Sequence, residues 1–340
     1  MPKLNVLIAG STGYIGLQLV RLLVNHKKIK IKYLCGNNSV GKDISIFDKE
    51  LKHKKLPKII KFKNNLLKNV DILFTALPNG EAQLISKKLL KKNTLIDLSA
   101  DFRLKNELVY HKWYKIKHKA KNLIDNSIYS LPELMDNKIR NYQIISCPGC
   151  YPTSVLLPLV PLLKKNLINQ NNIIIDSKSG YSGAGRGVHK KYKDKNLYES
   201  LSAYGLSNHR HNPEIEQELR KYAKNNLVFT FTPHLSPMFR GILSSIYVDL
   251  KKGKSIRSIH NELVRFYKKS KFVNIVKFNS FLSTNDVINT NKCNISVCKS
   301  RYSNKAIILS SIDNLIKGGA GQAVQNLNIL KNFSSDEGLK

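Results

Sequence analysis

Nearly midway along a chain of 340 residues, Ser146-Cys147-Pro148-Gly149-Cys150-Tyr151-Pro152-Thr153 gathers the residue types that covalent chemistry needs. A short apolar run at 142–145 precedes it and a longer one at 154–163 succeeds it. That pattern predicts a tight turn between a strand and a helix, with Cys150 at the helix N-terminus. Unpaired N–H groups and the positive end of the dipole favour a thiolate there, which makes Cys150 a candidate nucleophile. Two other readings fit the same residues. Cysteine is often a small buried hydrophobe, and the Cys147/Cys150 spacing matches a redox pair or half of a zinc site. Against the second stands the sequence distance of Cys35, Cys293 and Cys298, which supply no further close pair.

Two more stretches could serve such a nucleophile. His209-Arg210-His211-Asn212-Pro213-Glu214-Ile215 opens a predicted helix, and histidine is the usual general acid/base near neutral pH; a structural histidine fits the same position. Ser179-Gly180-Tyr181-Ser182-Gly183-Ala184-Gly185-Arg186-Gly187 comes after a predicted strand at 173–175 and reads as a loop. Its glycines, small hydroxyls and Arg186 suit an anion or the close approach of a cofactor ring, with a plain flexible loop as the alternative.

Near the start, Gly10-Ser11-Thr12-Gly13-Tyr14-Ile15-Gly16 lies between the apolar run 4–9 and a helical apolar stretch at 17–24. A glycine-rich turn between strand and helix lets the backbone approach a pyrophosphate seated on the helix N-terminus. The second predicted strand, 29–34, ends in Cys35-Gly36-Asn37-Asn38-Ser39 without the acid that would hold a ribose 2′-hydroxyl. Ser39 and Lys42 could meet a 2′-phosphate instead, which favours NADP over NAD.

These residues need elements to hold them. Strand patterns at 70–77 and 94–98 alternate with helical ones such as 81–90, the signature of a Rossmann-type doubly wound α/β sheet. Beyond 163 come strands at 173–175, 227–232, 242–250, 295–299 and 306–311 and a helix at 255–267, with a loop at 233–241. They predict a second, α+β domain with a mixed or antiparallel sheet. A final helix comes after Asp313-Asn314, and a frayed tail is expected after Asn332.

The length suits two domains, and 42% hydrophobic residues suffice for folded cores. No apolar run approaches the ~20 residues that cross a bilayer, so no membrane partner is expected. Five scattered cysteines suit a reducing cytoplasm. A net charge of +34 raises nucleic acid as a partner. Yet the excess is mostly lysine, dispersed through every segment, with no helix-turn-helix, zinc finger or basic–aromatic stretch. Solvated faces account for it, and no nucleic-acid partner is expected.

Taken together, Gly10 to Gly16, Asp97-Leu98-Ser99-Ala100-Asp101-Phe102-Arg103, Leu131-Pro132-Glu133-Leu134, Pro148 to Thr153, Ser179 to Arg186, His209 to Ile215, Phe231-Thr232-Pro233-His234-Leu235 and Asp313 to Asn326 resemble the N-acetyl-gamma-glutamyl-phosphate reductases of arginine biosynthesis over nearly the whole chain. The sequence departs from the family pattern at Ser154, Ser130 and Asn79, none of which touches the expected nucleophile or base. The resemblance implies NADPH-dependent reduction of an acyl phosphate through a Cys150 thioester. It implies His211 as general acid/base with His209 in support, and Arg186, Arg240 and Ser182 beside the substrate. Gly10, Ser11, Thr12, Gly13, Tyr14, Ile15, Gly16, Ser39, Lys42, Ser179, Gly180, Gly183 and Asn314 would bind NADP, and no metal is expected. The expected domains are 1–149 for NADP, completed by 314–335, and 150–313 for catalysis and dimerisation in a homodimer or homotetramer. The rivals are an aspartate-semialdehyde dehydrogenase, a carrier-protein-linked lysine-pathway reductase and, from another class, a basic nucleic-acid-binding protein.

Overall fold

The apolar run after the N-terminus forms β1 (Leu4–Ala9), and a parallel sheet grows outward from it on both sides. The computed structural model describes residues 2–135, 137–186, 198–224 and 226–339; Gly187, the last glycine of the second glycine-rich run, lies outside them. The chain divides into two compact units, residues 1–148 with 319–340, and residues 149–318.

In the first unit β2 (Ile29–Cys35), β3 (Ile59–Ile60), β4 (Ile72–Thr75), β5 (Thr94–Asp97), β6 (Ser127–Tyr129) and β7 (Ile144–Ser146) join β1 in the order β3-β2-β1-β4-β5-β7-β6. Every pairing is parallel. Helices α1 (Tyr14–Leu23), α2 (Glu81–Ser86) and α3 (Glu107–Tyr114) occur in the crossovers. Strand alternation sends Val6 and Ile8 into one apolar cluster and Leu7 and Ala9 into another, so both faces of the sheet are buried. The strand order reverses at β1, which has β2 on one side and β4 on the other. This is the switch point where open parallel sheets leave a crevice.

The final helix, Gly321–Leu330, returns to this unit and buries Ala323, Val324 and Leu327 in the first cluster. The tail beyond Asn332 is docked rather than frayed. Asn328 Nδ2 donates to the carbonyls of Ser335 and Glu337, the Lys27 N–H donates to Glu337 Oε1 at 3.0 Å, and Leu339 packs on the core.

The second unit begins with α4 (Cys150–Lys164), buried almost all round. Its mixed sheet contains β8 (Ile173–Gly180), β9 (Ser202–Ala203), β10 (Phe229–Ser236), β11 (Ile242–Asp249), β12 (Val273–Ile275), β13 (Cys293–Lys299) and β14 (Lys305–Ile312), ordered β12-β13-β14-β11-β8-β10-β9. Helix α4 packs on β11 and β14 and against helices Asn212–Arg220 and Ile256–Tyr267. Pro161, inside α4, cannot donate to the Leu157 carbonyl. The Tyr267 hydroxyl does so instead, at 2.6 Å. Two predicted loops are partly strand. Ser179 and Gly180 end β8, and 233–236 continue β10, because eight consecutive residues of the two strands pair in parallel register. On the other face of the sheet Ile174 and Tyr247 are exposed. No helix among the described residues is long and apolar enough to cross a membrane.

Candidate active site

Cys150 is the first residue of α4 and is half-buried. No side chain bonds from the cap position, Gly149, into the helix; the turn is held from outside. The Gly149 N–H donates to Glu214 Oε1 at 2.7 Å, and the Thr153 hydroxyl and N–H both donate to the Gly149 carbonyl. Glu214 is wholly buried. Gly318 lies so close to Cys150 that a Cβ there would come within 2.7 Å of the Cys150 Cβ. The site thus requires glycine, because no side chain fits that approach.

The residue after Cys150 links it to the histidines. The buried Tyr151 ring meets the rings of His209 and His211 edge-on, with centroids 5.5 and 5.8 Å away. Its hydroxyl donates to the His234 carbonyl and accepts from Tyr204. The two histidine rings lie 4.8 Å apart, and the His211 N–H donates to His209 Nδ1 at 3.1 Å. Burial first, and the Arg210 charge second, hold His209 down at about 4. It is therefore neutral near pH 7 and acts as an acceptor that fixes the backbone of His211.

The expected anion ligands separate. Arg186 is exposed at the end of the glycine-rich run. Arg240 is paired within its own unit. Its Nε lies 2.8 Å from Oδ2 of the buried Asp313, Nη2 donates to Oδ1, and Nη1 donates to Asn289. Asn314 is likewise engaged: its Oδ1 accepts from the Gly241 N–H, and its Nδ2 donates to the buried Ser182 hydroxyl at 3.0 Å. Close packing by itself requires a glycine at Gly180, since a Cβ there would strike the backbone of Phe239 and Arg240 at 2.6–2.7 Å. Gly183 stands near Asn314 Nδ2 and the Ser179 hydroxyl, which itself donates to the Gly180 carbonyl.

The first unit holds a cleft of about 740 Å³ at the switch point, lined among others by Gly10, Thr12, Gly13, Gly36, Ser39 and Leu77. A Cβ at Gly10 would strike the Ala76 carbonyl at 2.2 Å, and one at Gly16 the Gly10 carbonyl at 2.1 Å. These two glycines close the turn on β4 and on itself. Gly13 faces no such obstacle, lines the cleft and caps α1 without a side-chain bond, as a pyrophosphate-binding turn requires. Ser11 is spent on structure, its hydroxyl and N–H both donating to the Cys35 carbonyl. Tyr14 and Ile15 open α1, and Ile15 packs on the core. The residues fit a dinucleotide. Lys42, however, is exposed and does not line the cleft; the lysines that do are Lys61 and Lys88.

Cys147 is buried, and burial pushes its thiol up to about 12. Asn326 Nδ2 stands 3.6 Å from its sulfur and also donates to the Ser130 carbonyl, while Ser130 Oγ donates to Asn326 Oδ1. The departure at Ser154 has its own partners, a buried chain in which Ser244 Oγ bridges Ser154 Oγ and Ser177 Oγ at 2.8 and 2.7 Å. The motif from Asp97 to Arg103 is structural. Buried Asp101 accepts from the Gly80 N–H and the Tyr110 hydroxyl, and Arg103 Nε donates to the Cys147 carbonyl, three residues before Cys150.

Glu214, Gly318 and Lys61 do not stand out in the sequence as site residues. Glu214 carries a local signal, three residues after His211 at the start of a helix; Gly318 and Lys61 carry none, because their partners are distant in sequence.

Residues 5–142 match the semialdehyde dehydrogenase NAD-binding domain, and residues 150–314 match the semialdehyde dehydrogenase dimerisation domain. The chain is 42% identical to N-acetyl-gamma-glutamyl-phosphate reductase of Desulforamulus reducens, covering 98% of this chain and 96% of that protein. It is 43% identical to the enzyme of that name from Campylobacter jejuni subsp. doylei, covering 99% and 98%. Among solved structures, aspartate semialdehyde dehydrogenase II of Vibrio cholerae shares the fold with a TM-score of 0.72 at 16% identity, covering 98% of this chain and 99% of that one.

Proposed function

The chain belongs to the N-acetyl-gamma-glutamyl-phosphate reductases of arginine biosynthesis, within the semialdehyde dehydrogenase family, and from that premise we propose that Cys150 is its nucleophile and His211 its proton carrier. The observation that carries this reading is Cys150 at the head of a buried helix, next to a tyrosine whose ring touches both histidines.

The Cys150 thiolate attacks the acyl carbon, a C–S bond forms, and the C–O bond to phosphate breaks. Gly10 to Gly16 and the cleft would hold NADPH, whose chemistry when bound would be hydride donation to the Cys150 thioester. His211 protonates the developing alkoxide and takes the proton back as the C–S bond breaks, releasing the aldehyde and regenerating the thiolate. His209, neutral at working pH, keeps His211 in place. Exposed Arg186 suits the substrate's anionic groups, since a guanidinium fork matches carboxylate and phosphate alike. Ser182 and Asn314 hold each other beside Gly183, where they support the proposed cofactor role of Asn314.

The uncovered face of the mixed sheet, with Ile174 and Tyr247 exposed, suits association with a second copy through the dimerisation domain. A reducing compartment such as the cytoplasm keeps the thiolate competent.

The reverse reaction tests the reading. With N-acetylglutamate semialdehyde, phosphate and NADP, NADPH absorbance rises only when phosphate is present. Turnover with aspartate semialdehyde in its place, and none with the acetylated substrate, overturns the assignment.

A further inference from the structure

We infer that Lys61, with Ser39, reads the cofactor's 2′-phosphate and sets the preference for NADPH. The inference rests on the NADPH reading above and goes beyond it by naming the residues that discriminate.

Strand register puts the two residues there. In a parallel sheet of this kind the adenosine ribose lies at the end of the second strand, one strand outward from the glycine-rich turn. Outward again is β3, whose Ile59 and Ile60 pair with Leu34 and Cys35 of β2. The Gly36 N–H donates to the Ile60 carbonyl at 3.1 Å. Lys61 is therefore the first residue past β3 and sits beside the 36–39 turn that would face the ribose. Both Lys61 and Ser39 line the cleft.

The rival lysines are placed differently. Lys42 uses its carbonyl to accept from the Ile59 N–H at 3.0 Å, which ties its backbone to β3, and its side chain lies outside the cleft lining. Lys88 reaches the cleft from just after α2, on the side of Leu84 and Ile85. No aspartate or glutamate stands in the 36–39 turn to hold a 2′-hydroxyl. The acid that lines the cleft is Glu81, on α2. A cation and a hydroxyl at the ribose, with no carboxylate, favour a phosphate there over a hydroxyl.

A chain with net charge +34 attracts any anion, so the test needs charge-matched controls and paired ligands. Adenosine 2′,5′-bisphosphate and adenosine 5′-monophosphate differ only in the 2′-phosphate and carry no nicotinamide. Calorimetric Kd values for both, and for NADPH and NADH, are measured on wild type, Lys61→Gln, Lys42→Gln and Lys88→Gln. All three lysines are exposed, so the variants fold and match wild type in thermal melting. Lys61→Gln weakens the bisphosphate and NADPH about tenfold to a hundredfold, the worth of one charge-assisted contact, and leaves the monophosphate and NADH within about twofold. Retained discrimination in Lys61→Gln, or its loss in Lys42→Gln or Lys88→Gln instead, overturns the assignment. A wild type indifferent between NADPH and NADH overturns the NADPH reading itself, a different outcome from either.

Discussion

Cys147 and Cys150 are three residues apart on one short turn and are chemically opposite. Cys147 ends a strand connection inside the first unit, is buried, and is pushed up to about 12 by desolvation, with an asparagine amide at its sulfur. Cys150 begins a helix in the second unit, half-exposed, with the turn before it held by Glu214. Burial in an apolar core makes a thiol inert, whereas partial exposure at a helix N-terminus favours the thiolate. The difference also weighs against the redox-pair reading, because Cys147 offers no accessible thiolate of its own to a partner.

The comparison breaks most visibly at Cys150. Cys150→Ser is expected to lower kcat by about three orders of magnitude or more while NADPH still binds, because an alcohol is a poorer nucleophile and leaving group; stopped assays with NADPH titration check it. Gly318→Ala is next. It pushes a methyl to 2.7 Å from the Cys150 Cβ, and crowding of that kind costs about 1–3 kcal/mol. If the strain falls on the nucleophile, kcat drops about ten- to a hundredfold and iodoacetamide labelling of Cys150 slows in step. Unchanged labelling would mean that Gly318 moves and the thiol does not. Cys147→Ser gives the smallest effect on turnover, within about threefold of wild type, with a stability loss of about 1–3 kcal/mol for placing a hydroxyl in the core, read from urea unfolding. A Cys147 variant as inactive as the Cys150 one would restore the redox pair.

What the sequence made legible was what is encoded locally. The run from Gly10 to Gly16 between strand and helix, and Cys150 at a helix start, depend on neighbours a few residues away. The two-domain architecture was readable from strands alternating with helices in one half and strands dominating in the other. What escaped depends on pairing between distant segments. Glu214 meets Gly149 across 65 residues, and Lys61 matters only once β3 is registered beside β2. Pro233 reads as a loop because it lacks a donor, yet it sits in β10, where its carbonyl accepts from the Tyr204 N–H. Arg240 resembled an anion ligand by type, and only the fold reveals that Asp313 already occupies it. Asn332 looked like the start of a loose end because Asn328 and Lys27, which hold the tail in place, lie on other elements.

The first unit is discontinuous, built from residues 1–148 and 319–340, whereas the second is one uninterrupted stretch. On the ribosome, the segment made later is therefore finished sooner. Residues 149–318 have all their own strands as soon as they emerge. The parallel sheet, whose first strand emerges early, must wait for Ala323, Val324 and Leu327 to complete the apolar cluster that β1, β5 and α1 begin, and for Glu337 and Leu339 to reach Lys27 and the core. During that interval the nascent chain carries an incompletely covered apolar cluster, the kind of surface that chaperones hold and that aggregates form around.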